Sequence, residues 1–165
     1  MLFDIKSNFC KFKSSEVKNF LESLNAYYGA DIEALKKFDF YVNNSGKVYI
    51  TSVPEKDLTI TKRVCGLGLY FATIHDGGRI RLSVEGCSLV EPKKNYIILN
   101  EKGFKAFICA EDLFEDEIEE TNFEGNTPFI MVIYAGERIG IVSKKESSYI
   151  NYLPKSRKLD YNKVF

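Results

Sequence analysis

NYIILNEKGFKAFICAEDLF (residues 95–114), followed after an acidic bridge by FIMVIYAGERIGIV (residues 129–142), is the part of this chain that decides its fold. Tyr96 to Leu99 is a run of strand formers, and Glu101 to Cys109 carries apolar residues at helical spacing despite Gly103. Leu113 and Phe114 place an apolar anchor inside the acidic bridge. Phe129 to Tyr134 and Arg138 to Val142 are two strand-length runs around Ala135, Gly136 and Glu137. Glycine supplies the positive φ that a tight hairpin tip needs, so the pair predicts a hairpin. Ile150 to Leu153 suits a last strand, and Pro154 stops it. The order is strand, short helix, hairpin.

N-terminal to this stretch, Val17, Phe20, Leu21, Leu24 and Tyr28 recur at helical spacing and predict an amphipathic helix over 14–28. Ser14 is placed to cap it, Glu16 favours the positive helix start, and Gly29 ends it. Ile32 to Lys37 suits a short second helix. FDFYV (38–42) and KVYITS (47–52) flank the turn NNSG and predict a hairpin. LGLYFATI (67–74) and RIRLSV (79–84) flank DGG and predict another. Pro54 to Arg63 is ambiguous, because its Pro and Glu-rich start suits a helix while Thr59, Ile60 and Thr61 resist one. Pro92, Lys93 and Lys94 break the pattern and mark a boundary between domains at 1–92 and 93–165.

Composition bounds the function. With 165 residues, 45% hydrophobic and 14% aromatic, the chain can bury a packed core. The longest apolar run, Phe129 to Ala135, is far short of the roughly 18 residues a spanning helix needs, so no membrane span is expected. The N-terminus lacks a signal-peptide pattern, which points to a soluble intracellular protein. Cys10, Cys65, Cys87 and Cys109 contain no CxxC pair and are expected to be reduced core residues rather than ligands. His75 is the single histidine, expected beside a hairpin turn at the surface, so no His-rich metal site or two-histidine relay can form. CGLGLY and NEKGF lack both GxGxxG and GxxxxGK, so no nucleotide cradle is indicated. No catalytic residue, metal or cofactor is expected.

The formal net charge is zero, but it is unevenly placed. Between Ala110 and Gly125 lie eight acids (Glu111, Asp112, Glu115, Asp116, Glu117, Glu119, Glu120 and Glu124) and no base. From Arg138 to Phe165 there are seven bases against two acids, interleaved with Tyr149, Tyr152 and Tyr161. Such a stretch suits phosphate neutralisation with base stacking, or equally a solvated edge and tail. The acidic segment 111–124 suits either a protein-docking surface or a solvated face.

The strand, helix and hairpin of 95–142 resemble a PUA domain, a module that holds structured RNA. The resemblance extends over roughly Val48 to Val142, through CGLGLYFATIHDGGRIRLSVEGCSLVEPKKNYIIL. That stretch is similar to the segment joining the two domains in a ribosome-biogenesis family of archaea and eukaryotes. Its carrying pieces are Leu67-Gly68-Leu69-Tyr70-Phe71, Tyr96 to Leu99, the helix with Phe104 and Phe107, and Arg138-Ile139-Gly140-Ile141. The resemblance implies an α+β protein: an N-terminal α/β domain with antiparallel hairpins, then a C-terminal PUA-type pseudo-β-barrel.

It also implies a non-catalytic, RNA-binding accessory factor for ribosomal RNA processing and large-subunit biogenesis. The location would be cytoplasmic, or nucleolar in a eukaryote; Lys, Ile and Glu usage suits an archaeon. Two departures stand out. Where PUA domains carry glycines after the first helix and before the next strand, this chain has Ala110 and Glu117. Where archaeal members carry bases on the penultimate strand, Ser147 to Asn151 is neutral. RNA contacts are therefore expected at Lys144 and Lys145 before it and at Lys155, Arg157 and Lys158 after it, with Tyr149 or Tyr152 stacking on a base. The N-terminal domain or the acidic segment is expected to meet a protein partner. Two other readings remain: an RNA-holding subunit of a transfer-RNA modification enzyme, or a protein-interaction module that has lost RNA binding.

Overall fold

Alternating side chains build two sheets, seen in the computed structural model over residues 8–58, 66–160 and 163. Phe9–Lys11 (β1), Asp39–Asn43 (β2), Lys47–Thr51 (β3), Leu69–Ile74 (β4) and Ile80–Leu82 (β5) form an antiparallel sheet in that order. Both expected hairpins are present. Asn43 closes the first by accepting, through Oδ1, the Ser45 and Lys47 N–H groups. The helix Ser14–Tyr28 (α1) has the expected bounds and buries Phe20, Leu21, Leu24 and Tyr28. Its cap differs from expectation. Lys13 holds the extended cap position, and the Glu16 carboxylate folds back onto the Lys13 N–H at 2.6 Å, so Ser14 already lies inside the first turn. The expected short helix after α1 is a single 3-10 turn, Glu33–Leu35.

The second sheet contains Tyr96–Leu99 (β6), Leu113–Phe114 (β7), Ile118–Asn122 (β8), Ile130–Tyr134 (β9), Glu137–Lys145 (β10) and Ser148–Asn151 (β11). Its order is β7-β11-β10-β9-β6-β8, antiparallel except between β6 and β9. The edge strands β7 and β8 are joined by one 3-10 turn, Glu115–Glu117, so the sheet must curl to bring them together. It is a half-barrel. The hairpin tip Ala135-Gly136 has both residues at positive φ, 49° and 81°, which matches the right-handed twist of the strands it joins.

The apolar run FIMVI belongs to a strand covered on both faces. Ile130 and Val132 enter the half-barrel core with Ile97, Leu99, Phe107, Leu113, Val142 and Tyr149. Met131, with Phe129 and Ile141, points the other way into a core shared with Phe20, Leu24, Phe40 and Phe71 of the first sheet's layer. A strand buried on both sides needs a continuous apolar run rather than an alternating one. Val84–Ser88 (α2) is a five-residue helix after β5, and Glu101–Ile108 (α3) follows β6. The second of these plugs the half-barrel with fully buried Phe107, whose truncation to alanine costs about 3–5 kcal/mol.

Four further features depart from the sequence reading. The helix α2 was not expected; the Ser83 hydroxyl caps it by accepting the Gly86 N–H at 2.9 Å. The acidic bridge contains the strand β8, which tolerates acids because it is a sheet edge with solvent beside it. Phe114 is 52% exposed, so of the two expected anchors Leu113 is the buried one. The last strand begins at Ser148 because Tyr149 pairs with Lys144 on one side and Leu113 on the other. Cys87 and Cys109 are buried and Cys10 is exposed. Burial pushes the Cys87 thiol well up, which makes it inert. The expectations for 59–63, Cys65 and Tyr161 lie outside the described residues. No helix among the described residues is long and apolar enough to cross a membrane.

Candidate nucleic-acid interface

The seven expected RNA contacts do not form one patch. Lys144, at the end of β10, is held inward: its Nζ donates to Glu115 Oε1 at 2.6 Å and to Tyr149 Oη at 3.2 Å. These two hydrogen bonds, Glu115 first, raise the Lys144 pKa. Tyr149 is fully buried, its ring under the Lys144 ammonium and its hydroxyl also facing Glu115. It is a core residue with no face open to a base. That corrects the expectation that it stacks.

Arg157 is likewise engaged, in an ion pair with Glu85 of α2. Three lysines of the set are left without an ion pair among the described residues: Lys145, Lys155 and Lys158, all exposed. Lys155 and Lys158 border an open groove of about 460 Å³ together with Cys109, Glu111, Leu159 and Asp160. The segment they occupy is pinned where the Leu159 N–H donates to the Ile108 carbonyl at 2.9 Å, at the end of α3. Lys145 sits at the end of β10, beside the turn into β11 and so at the far end of that strand from the segment that carries Lys155 and Lys158.

Tyr152, half-buried, faces the space between the two sheets. Its ring meets Phe129 edge-on at 5.9 Å and carries the Arg81 guanidinium at 4.7 Å. Arg81 lies outside the set expected from the sequence, although the alternation of R-I-R (79–81) already puts Arg79, just ahead of β5, and Arg81 within it on the same face. What sequence could not show is that the second sheet, with Tyr152, lies over that face. His75, expected at the surface, is partly covered, with its Nε2 buried and unpartnered and its ring 5.3 Å from Phe129. Burial first, then the Arg81 and Arg79 charges, lower its pKa and keep it neutral.

The acids are mostly occupied. Glu117 is buried, and its carboxylate accepts the Phe114 N–H at 2.8 Å. Asp116 pairs with Lys102 at 2.5 Å, which holds its carboxyl below the usual range. Asp112 accepts the Asn151 N–H at 3.1 Å. Glu119, Glu120 and Glu124 remain exposed.

The two glycine positions that this chain fills differently are both explained by the geometry. Ala110 takes the left-handed conformation, φ 57°, while its N–H donates to Phe107 and that of Glu111 to Ala106, so the helix end is glycine-like without glycine. Glu117 approaches α3 at Gly103 instead, where an added Cβ would stand 2.3 Å from the Glu117 carbonyl oxygen. No group of three or more His, Cys, Asp or Glu side chains that could hold a metal occurs among the described residues.

No protein-family model and no curated protein matches the sequence. A solved structure does match: a conserved PUA domain protein from Thermoplasma acidophilum, at a TM-score of 0.63 and 16% identity, covering 88% of this chain and 93% of that one. At that identity the likeness concerns the fold alone, and what it shows is that this chain has a PUA-containing fold.

Proposed function

We propose that the protein is a non-catalytic RNA-binding accessory factor acting in ribosomal RNA processing and large-subunit biogenesis. The observation that carries the RNA-binding part is the set of unpaired lysines, Lys155 and Lys158 beside an open groove and Lys145 one strand away, on a PUA-containing fold. Unpaired exposed ammonium groups are the kind that release counterions from a phosphate chain; ion-paired ones are already neutralised. Three such contacts to single-stranded RNA predict a slope of log affinity against log salt of about −2. A filter-binding titration with uridine-rich RNA across salt tests this, and no binding at low salt refutes it. The ribosomal role rests on the sequence resemblance and places the protein in the cytoplasm of an archaeon or the nucleolus of a eukaryote. Its test is co-sedimentation with large-subunit precursors.

A protein partner at the acidic segment is the second reading. Glu119, Glu120 and Glu124 favour it, being exposed on or beside the edge strand β8 with no ion pair among the described residues. Retention of partner binding after charge reversal at all three refutes it.

A further inference from the structure

A guanidinium held by aromatic rings with no acceptor on the protein leaves its five N–H donors to water or to a ligand. Arg81 is in that position. It is half-buried on β5, has no ion pair or hydrogen bond among the described residues, and is held by the rings of Tyr152 at 4.7 Å and Phe129 at 6.0 Å. It opens into a cleft between the two sheets that Tyr152, Pro154 and Arg157 also line. The one carboxylate there, Glu85, is already paired with Arg157, so the cleft keeps a net charge of one from Arg81.

On the strength of the RNA-binding reading above, we infer that this cleft is a phosphate site, in which Arg81 is the ligand for one phosphate of the bound RNA chain. The cleft volume is about 100 Å³. That is room for several waters, on the scale of a phosphate group. A guanidinium donates two parallel hydrogen bonds to a phosphate, and an aromatic neighbour fixes its direction without neutralising it. The segment 154–158 borders both this cleft and the groove of Lys155 and Lys158, so one RNA strand following that segment meets all three cations. Tyr152, expected to stack on a base, acts here as the positioning residue for Arg81.

Two measurements on the full chain test the site. The first is titration of uridine-rich RNA against the unaltered protein, Arg81→Gln and Arg81→Lys. With Arg81 as a fourth contact the unaltered chain is expected to show a slope of about −3, and Arg81→Gln to bind about tenfold more weakly and bring the slope back to about −2. Arg81→Lys is expected to keep the slope while losing affinity, since it keeps the charge and loses the paired donors. The second follows the Arg81 Nε–Hε resonance of the unaltered protein. Uridine monophosphate is expected to shift it, and uridine to leave it in place.

Tight RNA binding by the unaltered chain, matched by Arg81→Gln, with no shift from uridine monophosphate, overturns the site and leaves the RNA reading standing. If the unaltered chain does not bind RNA, that reading falls and the resonance decides the site alone: no shift overturns it, and a shift upholds it. The resonance also decides if Arg81→Gln does not fold.

Discussion

The acidic segment 111–124 and the basic segment 138–158 carry opposite charge blocks, and the fold uses them in opposite ways. In the acidic segment, five of the carboxylates bind the protein itself: Asp112 an N–H of β11, Glu115 a lysine and a buried tyrosine, Asp116 a lysine, Glu117 the N–H that opens its turn, and Glu120 the Tyr96 hydroxyl. In the basic segment, Arg138 closes the end of α2 by donating to the Ser88 carbonyl at 2.8 Å, and Lys144 and Arg157 are paired, while Lys145, Lys155 and Lys158 remain open. One block is mainly scaffold, and the other retains charge for something outside the chain. Counting charges along the sequence therefore overstates how strongly the acids would repel RNA. What matters is how many are left unpaired.

Gly103→Ala is the sharpest way to break the acidic side by itself. The new Cβ would force α3 away from the Glu117 carbonyl, at a cost of about 3 kcal/mol, read from urea unfolding, with RNA affinity unchanged under conditions where the variant is folded. The converse is Lys155→Gln with Lys158→Gln. Stability is expected to stay within about 0.5 kcal/mol while RNA affinity falls about tenfold, and Lys144→Gln in parallel should leave affinity nearly unchanged. Equal losses from Lys144 and from the pair would erase the distinction between the two segments.

Ala110→Gly is a smaller test, at the point where the acidic segment begins. It removes the Cβ strain of a left-handed residue and is expected to stabilise the protein by about 1 kcal/mol. The smallest effect separates pH from both charge blocks. His75 is the single histidine, and its folded pKa lies below the usual value near 6.5, so the unfolded chain takes up that proton first. Stability is then expected to fall as pH drops below about 6.5, and His75→Gln to remove that slope. An unchanged slope would assign it to the carboxylates.

Elements with a strong period are legible in the amino-acid sequence alone: α1, both N-terminal hairpins, α3 and the β9–β10 hairpin. Two elements have no period to find. IEETN of β8 is polar after Ile118, which packs on the half-barrel core, because it is an edge, and VEGCS of α2 is one turn long, announced only by Ser83 ahead of it. The site is half legible. Lys155 and Lys158 stand out in any charge count, and the structure leaves them open. The failure of Tyr149 as a stacking platform depends on β11 pairing with both β7 and β10, and the isolation of Arg81 depends on two sheets meeting. Neither is a local property of the chain.

The junction between the sheets bears on how fast a ligand is captured. Lys93 and Lys94 donate their N–H groups to the Tyr28 carbonyl, Asn95 Nδ2 donates to the Tyr27 carbonyl at 2.6 Å, and the Tyr27 hydroxyl both donates to and accepts from the backbone of Phe129. These bonds fasten the end of α1, which packs on the first sheet, to the second sheet at the entries of β6 and β9. Widening the cleft would break several of them together, so capture should proceed without a slow opening step. Stopped-flow mixing with RNA should show a single phase whose rate rises linearly with concentration and does not saturate.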